Sequence, residues 1–416
     1  MNAKNERCVI VGSGHSAAQL CVSLTQADWA GQITLIGDEA HAPYHRPPLS
    51  KSYLNPDKPE ALQLIRPKSF YTDHSIELLL GQRAESIDTE ERVVVLADRS
   101  ISYDNLVLAT GSTHRRPPIS GIDHPNVLTL QNAQQADSLR ERVSPKATVV
   151  IIGAGFIGLE VASSLRKLHA QVVVLERVDR VLSRVTSPQV SSYFEAMHRR
   201  HGVDLHTGVS VTAIDEVDGK MAVYTEDDRM FSADFVVVGA GATPNDQLAA
   251  DAGLVVDNGI VVDEYNRTSD AHIYAMGDCC NQFRSQFNRR MRLESVQNAV
   301  DQAKTVAAAI IGQPKPHDAL PWFWSDQYDV KFQTAGISTG YDQCLIRGSM
   351  EQGEHFSAWY LKDDRLIAVD AVNDSRAYAV AGKLIPIGQC PSPELIVDPN
   401  VTPKQLLLSA KEAMHA

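Results

Sequence analysis

The sequence predicts an α/β protein with two parallel sheets and a C-terminal region that mixes helices with an antiparallel sheet. A strand, a glycine turn and a helix follow one another twice, at Arg7 and again at Thr148, and each unit leads into a second apolar strand. Strands that alternate with helices indicate parallel sheets. After about residue 321 the pattern changes to short β-like runs, which are typical of a separate α+β domain.

Composition limits the class of protein further. The chain has 416 residues, enough for two or three domains of roughly 150 residues each. No run approaches the ~20 apolar residues of a membrane span, and no apolar leader precedes the first strand, so we expect a cytoplasmic protein. The formal net charge of −12 argues against a general nucleic-acid binder. The six cysteines form no C-x-x-C motif, and we expect neither a zinc site nor any other metal site.

The first glycine turn follows the apolar strand Arg7–Val11. Gly12 permits a tight turn, Gly14 lets the backbone approach a diphosphate, and Ala17 keeps the helix close to the sheet. A diphosphate would lie at the N-terminus of this helix, where unpaired N–H groups and the helix dipole favour an anion. A plain strand–turn–helix with glycines for packing is the alternative interpretation of this turn taken alone.

The second glycine turn is complete. Gly153, Gly155 and Gly158 follow the strand Thr148–Ile152, and the strand Gln171–Glu176 comes next. Two copies of the pattern favour two Rossmann-like dinucleotide-binding domains over two unrelated packing turns.

Each copy also has an acid where a ribose hydroxyl is bound, at the end of the next strand. Asp38 is the favoured acid of the first copy, with Glu39 beside it, and Glu176 is the acid of the second copy. A carboxylate that accepts from the 2′-hydroxyl repels a 2′-phosphate, so we expect NADH to be preferred over NADPH. Arg177 and Arg184 would partly offset that repulsion.

The remaining elements are short. We expect strands at Val93–Leu96, Leu106–Ala109 and Phe235–Gly241, a helix at Val296–Ile311, a linker at Gly312–Pro321, and β-like runs at Lys331–Ala335, Ser357–Leu361 and Leu366–Val372.

Cysteine positions exclude one group of two-dinucleotide enzymes. A disulfide reductase needs a cysteine pair soon after the second strand of the first domain, and a thiol peroxidase needs one cysteine there. That segment reads HAPYHRPPLSK at residues 41–51, and no cysteine occurs between Val22 and Asp278. Thiol chemistry at that place is therefore excluded. The vicinal pair Cys279 and Cys280 is interpreted as packing.

Several motifs together resemble one family. They are PYHRPPLSK at residues 43–51, LATGS at 108–112, IGAGFIGLE at 152–160, RVLSRVTSP at 180–188, YAMGDC at 274–279, RLESVQNA at 292–299 and PWFWSDQY at 321–328. The chain resembles the FAD-dependent ferredoxin reductases that serve cytochrome P450 and Rieske-type oxygenases, over nearly its whole length.

The resemblance implies a glutathione-reductase-like arrangement of FAD and NAD domains. The FAD-binding domain would comprise residues 1–113 and 243–320, the NAD-binding domain residues 114–242, and the C-terminal interface domain residues 321–416. Hydride would pass from NADH to N5 of FAD, and single electrons would then pass to a [2Fe–2S] ferredoxin that feeds an oxygenase. A rubredoxin reductase, a flavin NADH oxidase and a signalling flavoprotein of the apoptosis-inducing-factor type are the alternatives.

Residue roles follow from the same resemblance. Lys51 and Glu160 would form a catalytic pair beside the flavin, Asp278 would bind the ribityl chain, and Val296 would meet the flavin ring through its backbone. Gln131 stands where the family often has an arginine. The residues expected to contact FAD are Gly12, Gly14, Ser16, Ala17, Asp38, Glu39, Arg46, Lys51, Ala84, Ala109, Thr110, Gly111, Asp278, Val296 and Trp324.

The resemblance also indicates the nicotinamide site and the partner surface. The residues expected to contact NADH are Gly153, Gly155, Phe156, Ile157, Gly158, Glu176, Arg184 and Gly241. An acidic ferredoxin needs a local basic patch on an acidic reductase. The residues expected to dock it are Arg290, Lys304, Trp324 and Lys331, with Arg289 and Arg292 as further candidates.

Overall fold

The computed structural model describes residues 6–55, 60–351 and 355–412. They form two compact units. The first contains the residues up to His45, Leu62–Thr113 and Ala242–Ala319, and the second contains Arg46–Ala61, His114–Gly241 and the chain from Leu320 onward. The second unit thus includes both the predicted NAD-binding domain and the predicted C-terminal domain, and the division into three domains stays a prediction.

A five-stranded parallel sheet forms the centre of the first unit. Its strands, in spatial order, are Ile273–Ala275, Asn105–Leu108, Arg7–Val11, Gln32–Gly37 and Glu77–Leu80. Alternate side chains of the central strand enter two different apolar clusters, because a strand directs successive residues to opposite faces. Both faces are therefore covered, which explains why the strand reads as a continuous apolar run.

Helices and short sheets complete the first unit. The helices are His15–Gln26, Lys68–Asp73, Gln247–Asp251 and Val296–Ile310. One antiparallel sheet contains Ser86–Asp88, Val93–Val95 and Ser100–Ser102, and a mixed sheet contains Ile260–Val262, Cys280–Arg284 and Arg289–Met291. The strands Ser112–His114 and Ala242–Pro244 lie where the chain passes between the units.

The second unit contains the other parallel sheet. Its strands, in spatial order, are Asp204–Thr207, Gln171–Glu176, Thr148–Ile152, Phe235–Val238 and Val127–Leu128. A three-stranded antiparallel sheet of Val211–Val217, Lys220–Thr225 and Met230–Ala233 shares one apolar cluster with this parallel sheet. The two parallel sheets confirm the predicted α/β fold.

The C-terminal part of the second unit is built on a five-stranded antiparallel sheet. Its strands, in spatial order, are Trp322–Gln327, Val330–Gly336, Arg365–Val372, His355–Lys362 and Gln343–Ser349. Three of them contain the predicted β-like runs. The strands Trp322–Gln327 and Gln343–Ser349 were not predicted, and in the first of them three adjacent aromatic residues hide the alternation.

The helices of the second unit are Ala133–Arg142, Phe156–Lys167, Pro188–Arg200, Ser375–Leu384, Pro393–Val397 and Pro403–Glu412. Single turns of 3₁₀ helix at Pro47–Ser50 and Ser52–Leu54 belong to this unit as well. Within the described ranges, no helix has the length and apolar character needed to cross a membrane.

Candidate dinucleotide sites

The first glycine turn has the geometry that a bound diphosphate requires. Gly12 has φ +118°, and a Cβ there would lie 2.1 Å from the carbonyl oxygen of Ala109, so only glycine fits. Gly14 precedes the helix His15–Gln26 without a side-chain cap, and a Cβ at Gly14 would meet nothing within 4 Å. This helix end has no capping side chain and the space beside Gly14 is open, which fits a dinucleotide diphosphate.

The two candidate ribose acids of the first unit differ in their surroundings. Asp38 is exposed directly after the strand Gln32–Gly37. The hydroxyl of Tyr44 donates to Glu39 Oε2 at 2.5 Å. Asp38 is thus more exposed than Glu39, which is half-buried and accepts a bond, and the role of Asp38 at the adenosine ribose stays a prediction.

The predicted residues of the strand ends of the first unit lie in one hydrogen-bonded group. Thr110 donates through its hydroxyl to the carbonyl of Asn245 at 2.6 Å, and the amide of Asn245 donates to the carbonyl of Gly111 at 2.9 Å. Ser112 donates to Asp278 Oδ2 at 3.3 Å, and Asp278 is half-buried. These bonds fix the backbone of the predicted ATG segment.

Other predicted FAD residues of the first unit are placed by packing. Ala17, Ser16 and Ala84 are buried. Val296 begins the helix Val296–Ile310 directly after its cap Ser295, which accepts from the amide of Asn298. The positive end of that helix dipole lies at Val296, where an anionic ring would be stabilised.

The second glycine turn repeats the geometry of the first. Gly153 has φ +105°, and a Cβ there would lie 2.5 Å from the carbonyl oxygen of Gly239. Gly155 precedes the helix Phe156–Lys167 without a side-chain cap and faces open space. A Cβ at Gly158 would lie 2.1 Å from the carbonyl oxygen of Gly153, so this glycine lets the helix approach the turn. The turn therefore fits a second dinucleotide.

Glu176 is held against the second glycine turn. Its carboxylate accepts from the amide of Ala154 at 2.6 Å and from the amide of Val178 at 3.1 Å. Arg184 is exposed, and its guanidinium lies 3.4 Å from where a Cβ of Gly241 would be. Phe156 is half-buried and Ile157 is exposed at the start of the same helix. The predicted NADH residues thus surround one turn of the second unit.

The predicted pair Lys51 and Glu160 exists and is more extensive than expected. Lys51 Nζ lies 2.6 Å from Glu160 Oε2, and Ser50 donates to the same oxygen at 2.5 Å. Ser325 donates to Glu160 Oε1 at 2.6 Å. The Glu160 side chain is 7% exposed and that of Lys51 is 22% exposed. Three donors make burial of this carboxylate tolerable.

Sequence reasoning missed Ser50 and Ser325 as members of this cluster. Ser50 sits within the quoted PYHRPPLSK motif, and Ser325 directly follows Trp324. The sequence shows a serine beside Lys51 and another beside Trp324, but it does not show which distant group each hydroxyl will bond.

Trp324 lies in a group of aromatic side chains in the second unit. Its ring centroid is 5.6 Å from that of Trp322 and 6.4 Å from that of Phe323. Phe323 in turn lies 4.5 Å from Phe156, beside the second glycine turn. Trp324 is half-buried, so part of its ring remains available.

Arg46 belongs to the second unit and is oriented by its own contact. Its guanidinium donates to the carbonyl of Gln131 at 2.7 Å. The Gln131 side chain lies 3.4 Å from the amide of His114. Gln131 thus supports Arg46 through its backbone, which any residue at this position could do.

The predicted docking residues differ in exposure. Arg289, Arg290 and Lys331 are exposed, and Lys304 is exposed while pairing with Asp301 at 3.0 Å. Arg292 is different, since its side chain is only 10% exposed and pairs with Glu294.

The cysteines are consistent with the exclusion of thiol chemistry. Cys279 and Cys280 are buried free thiols. Burial raises the pKa of both. A buried thiol with a raised pKa is a poor nucleophile.

Comparison with known proteins agrees with this geometry. Residues 6–303 match the pyridine nucleotide-disulphide oxidoreductase family, and residues 322–407 match the reductase C-terminal family. Rhodocoxin reductase of Rhodococcus erythropolis is 42% identical, with 97% of this chain and 95% of that protein covered. Putidaredoxin reductase of Pseudomonas putida is 39% identical over 100% of both chains.

Solved structures show the same likeness. The covalent putidaredoxin reductase–putidaredoxin complex has a TM-score of 0.94 and 39% identity, covering 98% of this chain and 99% of that chain. A ferredoxin reductase from Rhodopseudomonas palustris has a TM-score of 0.93 and 43% identity, covering 96% and 99%.

Two glycine turns that each fit a dinucleotide, on two parallel sheets, define a flavoprotein reductase that uses FAD and a nicotinamide nucleotide. The chain belongs to the pyridine nucleotide-disulphide oxidoreductase family and, within it, to the FAD-dependent ferredoxin reductases of the putidaredoxin reductase type. The resemblance predicted from the motifs is confirmed.

Proposed function

We propose that this reductase takes electrons from NADH and passes them to a [2Fe–2S] ferredoxin that serves a cytochrome P450 or Rieske-type oxygenase. The observation that carries the proposal is full-length similarity to redoxin reductases in a chain with two complete glycine turns. When bound, FAD supplies the redox chemistry, since it accepts a hydride and returns its two electrons singly.

The protein's own residues would bind and orient the two nucleotides. In the first unit, the helix end after Gly14 would hold the diphosphate of FAD, Asp38 the adenosine ribose, and Asp278 the ribityl chain. In the second unit, the helix end after Gly155 would hold the diphosphate of NADH and Glu176 its ribose. The uncapped helix ends support both assignments.

Lys51 and Glu160 would act as the catalytic pair. The support is a lysine whose ammonium is held at 2.6 Å by a buried carboxylate, which fixes the position of a positive charge. A fixed cation stabilises negative charge that develops on a cofactor without reorganisation of solvent. The carboxylate is itself fixed by Ser50 and Ser325.

The partner surface would include Arg290, Lys304, Trp324 and Lys331. Arg290, Lys304 and Lys331 are exposed cations, and a chain of net charge −12 needs such cations to attract an acidic ferredoxin. We place the protein in the cytoplasm, where its six free thiols would remain reduced.

Reduction of cytochrome c by NADH tests the function. The holoenzyme is assayed with a panel of purified [2Fe–2S] ferredoxins, with a rubredoxin, and without an added carrier. We expect fast reduction with at least one ferredoxin and slow reduction without a carrier.

Two results would contradict the proposal. Rapid consumption of NADH in air without a carrier would identify an NADH oxidase. Fast reduction with the rubredoxin and none with the ferredoxins would identify a rubredoxin reductase.

A further inference from the structure

A buried carboxylate in the C-terminal sheet has no role in the function proposed above. Asp370 lies in the strand Arg365–Val372 and is 1% exposed. Within residues 6–55, 60–351 and 355–412, no ion pair with a lysine, arginine or histidine is seen for this side chain. An uncompensated buried carboxylate is costly to a fold. Burial raises the pKa of Asp370 to about 6.

Hydroxyl groups satisfy Asp370 from two directions. Thr186 and Tyr360 both donate to Oδ2, the latter at 2.6 Å, and Thr334 donates to Oδ1. Tyr360 and Thr334 belong to the same sheet as Asp370. Thr186 does not, because it lies in the segment between the second parallel sheet and the helix Pro188–Arg200.

That segment, residues 180–187, is called here the arginine loop. One end lies against the second glycine turn, since the amide of Leu182 donates to the carbonyl of Ala154 at 3.0 Å. The loop carries Arg184, whose guanidinium lies near Gly241. The arginine loop therefore borders the proposed NADH site of the second unit.

The other end of the arginine loop is fastened to the C-terminal sheet. Thr186 is 4% exposed and Ser187 is fully buried. Thr186 donates to Asp370, and the amide of Ser187 donates to the hydroxyl of Tyr360 at 3.2 Å. On the loop's inner side, Arg180 donates to the carbonyl of Thr186 at 2.9 Å. The path of the loop is thus determined at both ends.

We propose that Asp370 is a positioning residue for the nicotinamide nucleotide, because through Thr186 it fixes the arginine loop and hence the place of Arg184. Asp370 does not touch the nucleotide. A carboxylate accepts hydrogen bonds from two hydroxyl groups at one oxygen, which an apolar residue cannot do, and this accounts for an acid among the buried residues of this strand. The inference rests on the proposed NADH site.

A matched pair of variants tests it. Thr186→Val and Thr334→Val each remove one hydroxyl donor from Asp370, but only the first removes the donor that lies in the arginine loop. We expect Thr186→Val to raise the KM for NADH about fivefold, in line with the loss of one hydrogen bond, and to leave kcat within about twofold. Thr334→Val should leave both constants within about twofold.

The measurements are NADH–ferricyanide kinetics of the FAD-loaded holoenzyme and, independently, the Kd of NAD⁺ by titration calorimetry. Flavin content and Tm show whether each variant is folded. Equal KM and Kd values for the two variants would overturn the inference. If the unaltered holoenzyme neither oxidised NADH nor bound NAD⁺, the proposed function itself would fail, which is a separable result.

A second variant guards against a trivial loss of folding. Asp370→Asn keeps the volume and one carbonyl acceptor of the side chain, and its KM for NADH should rise as in Thr186→Val. A drop in kcat with an unchanged KM in Asp370→Asn would contradict a positioning role for this residue.

Discussion

At the scale of single residues, two buried carboxylates of the second unit, Glu160 and Asp370, accept hydrogen bonds from hydroxyl groups. Glu160 has a lysine and two serines, whereas Asp370 has three hydroxyl donors and no ion pair with any residue that the structure describes. Removing one partner of a buried charge costs more than the bond is worth, because the remaining group stays desolvated. Substitution of a single hydroxyl donor is therefore a milder probe than removal of every donor, because the acid keeps its other partners.

His198 sets one part of the response of the protein to acid. It is fully buried in the helix Pro188–Arg200 and lies 2.8 Å from the Gln327 side chain. Burial lowers the pKa of His198 to about 4 from its ordinary value of 6.5. Between those pH values the unfolded chain binds more protons than the folded one, so stability falls as pH is lowered through this window.

We expect the Tm of His198→Gln to fall less than the Tm of the unaltered protein when the pH is lowered from 7 to 5. The full difference of roughly 2.5 pKa units would correspond to about 3 kcal/mol near pH 4. The raised pKa of Asp370 makes the folded state gain stability as the pH is lowered through the same range. The change of Tm with pH is therefore compared between the variant and the unaltered protein. Thermal melts of the holoenzyme at each pH measure it.

The exposed His355 provides the control. The Tm of His355→Gln should fall with decreasing pH by as much as the Tm of the unaltered protein. If His198→Gln followed the same curve as His355→Gln, the buried imidazole would not contribute to the acid response.

At the scale of secondary structure elements, the glycine turns could be predicted almost entirely from the sequence. A glycine with no room for a Cβ leaves a clear signal, and both predicted turns have the expected geometry at Gly12 and Gly153. The antiparallel strand Trp322–Gln327 gives no such signal, because its three adjacent aromatic residues hide the alternation of apolar and polar side chains. Asp370 lay in a run predicted as a strand, but its partner Thr186 lies 184 positions away in the chain.

The two glycines of the first turn should respond differently to alanine. Gly12→Ala forces a contact of 2.1 Å with the Ala109 carbonyl, so we expect loss of both Tm and bound flavin. Gly14→Ala meets no protein atom within 4 Å, so the apoprotein should keep its Tm while its affinity for FAD falls at least tenfold. Flavin absorbance after purification and FAD titration of the apoprotein measure these effects.

Gly81 supplies the matched control, because a Cβ there also meets nothing within 4 Å and it is not among the predicted FAD residues. Its φ of +67° makes Gly81→Ala mildly strained, so Tm should fall slightly while FAD affinity is unchanged. Unaltered FAD binding by Gly14→Ala would contradict the placement of the diphosphate.

At the scale of the whole molecule, the acidic surface makes local charge decisive for partner choice. A chain of net charge −12 repels an acidic ferredoxin on average, and exposed cations must overcome this near the docking surface. Such steering weakens with salt, because exposed charges farther apart than about 10 Å are screened at 0.1 M ionic strength.

Lys304→Glu should slow reduction of the ferredoxin and leave NADH–ferricyanide turnover unchanged. Lys304 is exposed and pairs only with Asp301 among the contacts described, so its replacement places two acids side by side on the surface. We expect kcat/KM for the ferredoxin to fall about tenfold at low ionic strength and less at 0.5 M salt. Lys68→Glu, the same change of charge on another exposed helix of the first unit, is the control. A parallel fall in both activities of Lys304→Glu would show that the residue has no specific docking role.

The cluster around Glu160 has a consequence for how the second unit acquires its fold. Ser50, Glu160 and Ser325 lie more than 100 positions apart from one another along the chain, yet they share one carboxylate. During synthesis, Glu160 is made long before Ser325. Until the last quarter of the polypeptide has been made, Glu160 therefore lacks one of its donors. A fragment that ends ahead of Leu320 would lack both Ser325 and the strand Trp322–Gln327 that packs on the helix of Glu160, and fragment-based dissection of this reductase should avoid that cut.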